Sequence, residues 1–421
     1  MGYLDIQIEK VSGDIPELFR IGSTGLWSKF KTVKAERVGE RGIRMPRLTS
    51  IGAQYGAYSS QGGDSIRGRS PGTEYMTSTF VERMLAAELD KRDMEILKGP
   101  DEVAKMNVFQ RIMSALPDEW GQAMEAELFS NGTPFVFTAT AFATVSGVTV
   151  YTGDTKVGSR FLRPGVGVTV YDTTGATVKA TTYVKTVDVL AKKVELAVTV
   201  AGAANTDIIA YGIFTGASPV GLAGIKVWND NASSGTLYGI DRAVQPEIRA
   251  TNVAVGGALD QAHVLLGKHK QMARFGKDSM PKGQVGVIPL SVHATILTSM
   301  TSIQKSEIFS GPGTNVDRLP HLVAGDDFTW AGGQIFTLNE HQSSDRIDFI
   351  DPADFFWCEV MPLDFFKNEA GMRVHTIVGS NGVPISRSWL AMTQSMQLMN
   401  PNPRMGLYLT GITIATDYQG F

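Results

Sequence analysis

The stretch ELFSNGTPFVFTATAFATVSG, residues 127–147, constrains the fold more than any other part of the chain. Up to Phe129 the sequence is charged and helical in pattern; from Phe135 to Phe214 it is β-branched and aromatic, with no charged side chain before Asp154. Upstream, Val103, Met106, Phe109, Met113, Leu116, Trp120, Met124 and Leu128 recur at spacings of three and four, which lines one face of a helix. A helix over 102–129 would be a rod of ~40 Å at 1.5 Å rise per residue. Pro117 predicts a kink or a split in it, because proline removes a backbone donor and crowds the preceding turn. SNGTP ends it, with Gly132 available for a left-handed cap and Pro134 just beyond.

Downstream of the break, VSGVTVY, RFLRPGVGVTVYDTTGATVKATTYV, KKVELAVTVAG and DIIAYGIF alternate and turn. Short runs of Val, Thr, Ile and Tyr between Gly, Asp and Asn turns indicate a small closed or sandwiched β-module over 135–214. It reads as an independent insert. Mixed structure resumes at GLAGI, with an amphipathic helix expected over 258–276 and a buried strand running into a helix over 285–303. Residues 388–415 return to strand pairs around Asn-Pro-Asn-Pro. Residues 79–97 are ambiguous: Val81, Leu85 and Leu89 suit helix spacing or alternation, although the Glu, Leu and Ala content favours helix locally. The fold class is therefore α+β with an inserted β-domain.

At the N-terminal side, DIPELFR is a short helical signal in what otherwise reads as an arm. Residues 29–47 gather seven cations, Lys29, Lys31, Lys34, Arg37, Arg41, Arg44 and Arg47, against Glu36 and Glu40. They are read as an arm held against another subunit's acidic surface, as a solvated stretch, or as a weaker contact with nucleic acid. Residues 52–75 follow, rich in Gly and Ser, with Arg67 and Arg69 before Pro71. Such density raises the entropy lost on ordering, so the segment reads as a long exposed excursion ordered by a partner.

Composition excludes several classes. A chain of 421 residues with a net charge of −3 can bury a large core, and its balance points to no polyanionic or membrane partner. Cys358 is the only cysteine, which excludes an intrachain disulfide or a multi-cysteine metal site, and folding in a reducing cytosol is expected. Asp5, Glu9 and Lys10 interrupt any signal peptide, and no run of eighteen apolar residues occurs, so a soluble, non-exported protein is expected.

Candidates for chemistry are weak. His263 and His269, six apart, fall on different helix faces rather than at the spacing of a zinc pair. GKDS (276–279) lacks the glycine and hydroxyl positions of a phosphate loop, and GVGVTV (165–170) reads as a turn or bulge. The carboxylates of DRIDFIDPADFF (345–356) are candidates for a glycosidase-like pair or for a polar strand edge and a Pro turn. No cofactor and no metal are expected.

The order of these parts, with LFSNGTP, SRFLRPGVGVTVYD, GLAGI and QLMNPNPRMGLYLTGI, resembles the major capsid proteins of tailed bacteriophages over nearly the whole chain. The resemblance implies an N-arm (1–37), an extended loop over a neighbouring subunit (38–76), and a peripheral domain (77–134) with a spine helix over 102–130. It further implies an inserted β-domain (135–214), the peripheral domain continued (215–284), an axial domain (285–375) and a peripheral return (376–421). Hexamers and pentamers would form an icosahedral shell around double-stranded DNA, in a virion assembled in the bacterial cytoplasm. Lys34, Arg37, Arg41, Arg44, Arg47, Arg67 and Arg69 would make intersubunit contacts. Scaffolding, portal and cement proteins are further partners, with at most non-specific DNA contact and none with membrane. The arm is shorter than a full scaffolding domain, which implies a separate scaffolding protein or a processed chain. An encapsulin-like compartment, or an enzyme using the carboxylates at 345–354, is the alternative.

Overall fold

The computed structural model describes residues 26–34, 37–38, 42–50, 70, 72–90, 116–154, 156–216, 218–277, 281, 283–299, 327–330, 334–339, 342, 345–367, 374–378 and 384–414. Helix α1 (116–128) buries Leu116, Trp120, Met124 and Leu128, the stripe that the sequence spacing predicts. Residues 102–115 of the expected rod, and the turn that Pro117 would bend, lie outside the described residues, as does DIPELFR. The chain leaves α1 through Gly132, whose φ of +91° is a conformation only glycine adopts without strain.

A first core is built on a five-stranded sheet. Strand β1 (Lys31–Lys34) runs parallel to β19 (Phe356–Phe365), which pairs with β21 (Pro384–Met399); β21 in turn pairs with β20 (Val374–Val378) and β5 (Val81–Asp90). The ambiguous 79–97 segment is thus strand over 81–90. Its local helix propensity yields to a ten-residue antiparallel ladder with β21, in which Val81, Arg83, Leu85 and Ala87 turn inward and Glu82, Met84, Ala86 and Glu88 outward. Strands β2 (Arg37–Val38), β3 (Gly42–Ser50) and β4 (Gly72–Thr79) form a small sheet at the base of the glycine-rich excursion. Residues 51–69 of that excursion lie outside the described residues. Ile43 and Met76 from this sheet join α1 and the five-stranded sheet in one core.

The insert is a closed barrel, which settles the choice between barrel and sandwich. Its strands are β6 (Phe135–Val145), β7 (Val148–Gly153), β8 (Gly167–Tyr171), β9 (Val178–Asp188), β10 (Lys193–Leu196) and β11 (Ile208–Tyr211), closed in the order β10-β7-β6-β11-β8-β9. A short helix, α2 (Lys156–Phe161), lies between β7 and β8. The inward residues Phe137, Tyr151, Val168, Val170, Val184, Val194 and Ile209 fill a core of their own. This is the period-2 alternation of the sequence turned into an interior.

Beyond the barrel, α3 (Ile225–Trp228) and the hairpin of β12 (Thr236–Leu237) and β13 (Ile240–Asp241) return the chain to the first core, where Trp228 stacks on Tyr238 at 4.0 Å. The remaining strands form a six-stranded mixed sheet. In spatial order these are β14 (Thr251–Gly257), β22 (Leu407–Ile412), β18 (Ile347–Ile350), β15 (Val285–Ile288), β17 (Gln334–Leu338) and β16 (Asp327–Trp330). Helices α4 (Gln261–Phe275) and α5 (Leu290–Ser299) contribute Val264, Val292 and Ile296 to its core. Helix α4 starts at Gln261 behind an Asp260 cap, three residues later than the expected 258, and Gly267 lets it approach the sheet: a Cβ there would lie 2.9 Å from Leu407. The sheet draws strands from three of the ranges delimited above, 215–284, 285–375 and 376–421.

The C-terminal strands differ from the expected pairing around Asn-Pro-Asn-Pro. β21 and β22 flank that turn but belong to different sheets. Pro401 and Pro403 lack backbone donors, and a 3-10 turn over Pro403–Met405 redirects the chain from one sheet into the other. Among the described residues no helix is long and apolar enough to cross a membrane.

Candidate assembly surfaces

The structure divides the cations that the sequence groups together. Lys31 and Lys34 lie exposed on β1, at the edge of the five-stranded sheet. Arg37 sits on β2 opposite Ile43. On β3 the alternation sends Arg44 outward, where its guanidinium lies 3.5 Å from the centre of the Tyr75 ring. It sends Arg47 inward, half-buried beside Glu74, Glu247 and Arg404, and burial lowers its pKa from the ordinary value. Arg47 thus lies on the face of β3 that carries Ile43 and Met45. Arg41, Arg67 and Arg69 lie outside the described residues. From Lys31 on, the described part of 29–47 is strand.

The β3–β4 pair thus has two faces. The inner one carries Ile43, Met45, Met76 and Glu74, with Gln245 Nε2 donating to both Glu74 oxygens at 3.2 and 3.0 Å and Thr77 N–H donating to the Tyr238 carbonyl at 3.0 Å. The outer one, Arg44, Pro46, Thr73, Tyr75 and Thr77, is exposed, with Tyr75 at 50%. The base of the excursion is fixed to its own chain, the Thr77 hydroxyl included, while a cation and an aromatic ring face away.

The neck of the insert is the other constructed feature. The strand entering the barrel and the segment leaving it cross: Tyr211 N–H donates to Pro134 O at 3.0 Å and Gly221 N–H to Gly132 O at 2.9 Å. The approach requires glycine, since a Cβ at Gly224 would stand 2.5 Å from the Leu128 and Ser130 carbonyl oxygens. Across the neck, Arg83 from β5 donates to both oxygens of Glu127 at 2.6 and 2.9 Å and to Val220 O at 2.8 Å, while Leu222 N–H donates to Glu127 at 2.9 Å. Glu127 is 4% exposed. Neither residue was singled out from the sequence, yet a signal was present: Glu127 follows Trp120 by seven and Met124 by three, which puts a carboxylate on the apolar stripe of α1.

The candidates for chemistry resolve into structural roles. Asp348 is fully buried and accepts from Asn229 Nδ2 at 2.7 Å, from Arg346 Nε and Nη2 at 2.9 and 2.7 Å, and from Gln342 Nε2. Its carboxylate is saturated inside the protein, which corrects the reading of it as a glycosidase acid. Asp351 caps the turn Pro352–Asp354 by accepting from Ala353 N–H at 3.0 Å. His263 completes the capping box of α4 with Asp260, and Gly165, at φ +89°, makes the turn that GVGVTV predicts. Gly276 terminates α4 at φ +83°. Cys358 is buried in the first core, and burial pushes its thiol up to about 11. Among the described residues no cluster of three or more His, Cys, Asp or Glu is placed to hold a metal ion.

No family model matches the chain, and no curated protein matches it. Among solved structures it is similar to the capsid asymmetric unit of cyanophage A-1(L), at 9% identity over 91% of this chain and 90% of that one, with a TM-score of 0.47. It is also similar to the procapsid of satellite phage P4 including the size determination protein, at 7% identity over 96% and 99%, TM-score 0.42. A third likeness is to the capsid asymmetric unit of cyanophage Pam1, at 11% identity over 89% and 86%, TM-score 0.43.

Proposed function

We propose that this chain is the major capsid protein of a tailed bacteriophage. Copies associate as hexamers and pentamers into an icosahedral shell around double-stranded DNA, and the role is structural rather than catalytic. The observation that carries this reading is the β3–β4 pair. Its inner face is fastened to its own subunit, its outer face presents Arg44 and Tyr75, and its far end, Ser50 opposite Gly72, leads into the glycine-rich excursion. A segment of that composition gains little by itself, but its ordering cost is offset when many copies contact one another at once.

In this reading residues 1–37 are the arm, 38–76 the loop over a neighbour, and 135–214 an inserted domain on a shell subunit. Residues 77–134, 215–284 and 376–421 are the peripheral domain, and 285–375 the axial domain. Lys34, Arg37, Arg41, Arg44, Arg47, Arg67 and Arg69 contact neighbouring subunits, and scaffolding, portal and cement proteins are the accessory partners. The protein resides in the virion after assembly in the bacterial cytoplasm.

Electron microscopy of the purified protein, alone and with scaffolding protein from the same source, tests this directly. Closed icosahedral shells or capsomers are expected; a chain that stays monomeric at high concentration under both conditions overturns the reading. Deleting 56–70 should leave a folded subunit that assembles poorly, and ready assembly of that variant would remove the loop assignment.

A further inference from the structure

Open strand edges pair with other chains unless something prevents it, and this chain guards two of its edges. Strand β1 carries exposed Lys31 and Lys34, and on β14 Lys270 Nζ donates to the Asn252 carbonyl at 3.2 Å. Strand β6 is different. It pairs with β11 only through Phe135, Phe137 and Thr138, whereas its pairing with β7 continues to Val145 opposite Val148. Among the described residues no strand pairs with the other edge of 140–145. All six of these residues are exposed, including Phe142 at 40% and Val145 at 53%. From Phe135 to Gly153 there is no proline and no ionisable side chain except Tyr151, which is buried and donates to Asp207 at 2.7 Å.

We infer that residues 140–145 of β6 are a strand-pairing site, and that its occupant is the same edge of a second copy of this chain, antiparallel across a twofold axis. Two features select that occupant. The strip TATAFATV bears no charge, so identical strands meet without repulsion, and a charged partner strand gains nothing from it. Pairing between two barrels also removes both open edges in one step, whereas a lone peptide leaves its own outer edge exposed. The site deepens the shell reading by giving the insert a contact between subunits, and its test separates the two.

The full chain is suited to cysteine crosslinking because its only native thiol, Cys358, is buried. Single variants Ala141→Cys, Phe142→Cys, Ala143→Cys and Thr144→Cys are oxidised in purified particles and in free subunits at high concentration, then run without reductant. Twofold antiparallel pairing predicts disulfide-linked dimers with one maximum along the strand, falling off on both sides. In an Ala141→Lys/Ala143→Lys background with unchanged thermal unfolding, dimer yield should fall about tenfold, because like charges then face each other. Shells that form with no crosslink at any position, or crosslinks to a different protein of the particle, overturn the pairing and leave the shell reading intact. Crosslinked dimers from a protein that never closes into shells uphold the pairing and overturn the shell reading.

Discussion

Arg83 and Glu127 meet in a two-pronged ion pair at the neck of the insert, with Nε and Nη2 lying 2.6 and 2.9 Å from the two carboxylate oxygens. The two residues come from different elements, β5 and α1, and the same guanidinium also holds Val220 on the segment that leaves the barrel. Side-chain exposures of 14% and 4% take the pair largely out of water, so removing one partner strands the other. Arg83→Ala is expected to destabilise the protein by about 3 kcal/mol in denaturant unfolding. The double variant Arg83→Met/Glu127→Gln should lose less than the sum of its single variants, the signature of direct coupling.

Gly224 sets the closeness of the crossing beneath that pair. Its φ of −73° suits any residue, so Gly224→Ala tests space alone: the new methyl would stand 2.5 Å from two carbonyl oxygens. A loss of about 1–3 kcal/mol is expected, read from thermal or chemical unfolding, as the backbone shifts to admit it. Gly132→Ala at the same neck should also destabilise, but through the left-handed φ of +91° rather than through contact.

How much of this was legible depends on the range over which each feature is decided. The β-module was visible, though not its closure into a barrel, because alternation and turn residues are local, and its core residues are the alternating ones. Strand β5 was not, because its Glu, Leu and Ala content favours helix and only the distant β21 decides otherwise. The basic run was legible as charge but not as direction: an odd spacing of three along one strand sends Arg44 out and Arg47 in. The open edge of β6 had no local signal, since it exists only where β11 stops pairing and β7 continues.

Lys268 gives the protein a pH signature. Burial lowers its ammonium to about 8, and it lies against Gln284 and the Phe349 ring. In the unfolded chain the group titrates at about 10.4, so between about pH 8 and 10 the unfolded state binds the additional proton. Stability from this group should therefore rise with pH across that window, and be flat below it. Lys268→Met should remove that slope and stabilise the protein near neutrality, which unfolding curves collected at pH 7, 8, 9 and 10 will resolve.

Cys358 should be silent towards thiol reagents while the protein is folded. It is 2% exposed on β19, opposite Val33 on one side and Gln397 on the other, and burial holds its thiol at about 11 against an ordinary value of 9.0. Both steric shielding and a scarcity of thiolate slow attack. Labelling at pH 8 should proceed only through opening of the five-stranded sheet, and should become fast in denaturant; rapid labelling under native conditions would contradict the placement of β1 over this residue.

Removing the barrel tests whether the neck is self-sufficient. Residues 132 and 221 are joined by a backbone hydrogen bond of 2.9 Å, and Pro134 and Tyr211 by one of 3.0 Å, so a few glycines and serines can bridge the ends left by deleting 136–213. The barrel keeps its own core, while Arg83, Glu127, Ser130 and Leu222 bond among themselves outside it. The shortened chain is expected to unfold cooperatively, with the first core intact and the Arg83–Glu127 coupling retained. It is also expected to lose the strand edge at 140–145, and with it part of its self-association. Light scattering or sedimentation of the deletion variant beside Ala141→Lys/Ala143→Lys will show whether that loss resides in the edge: equal weakening in both places it there, and a deficit confined to the deletion places it elsewhere on the barrel.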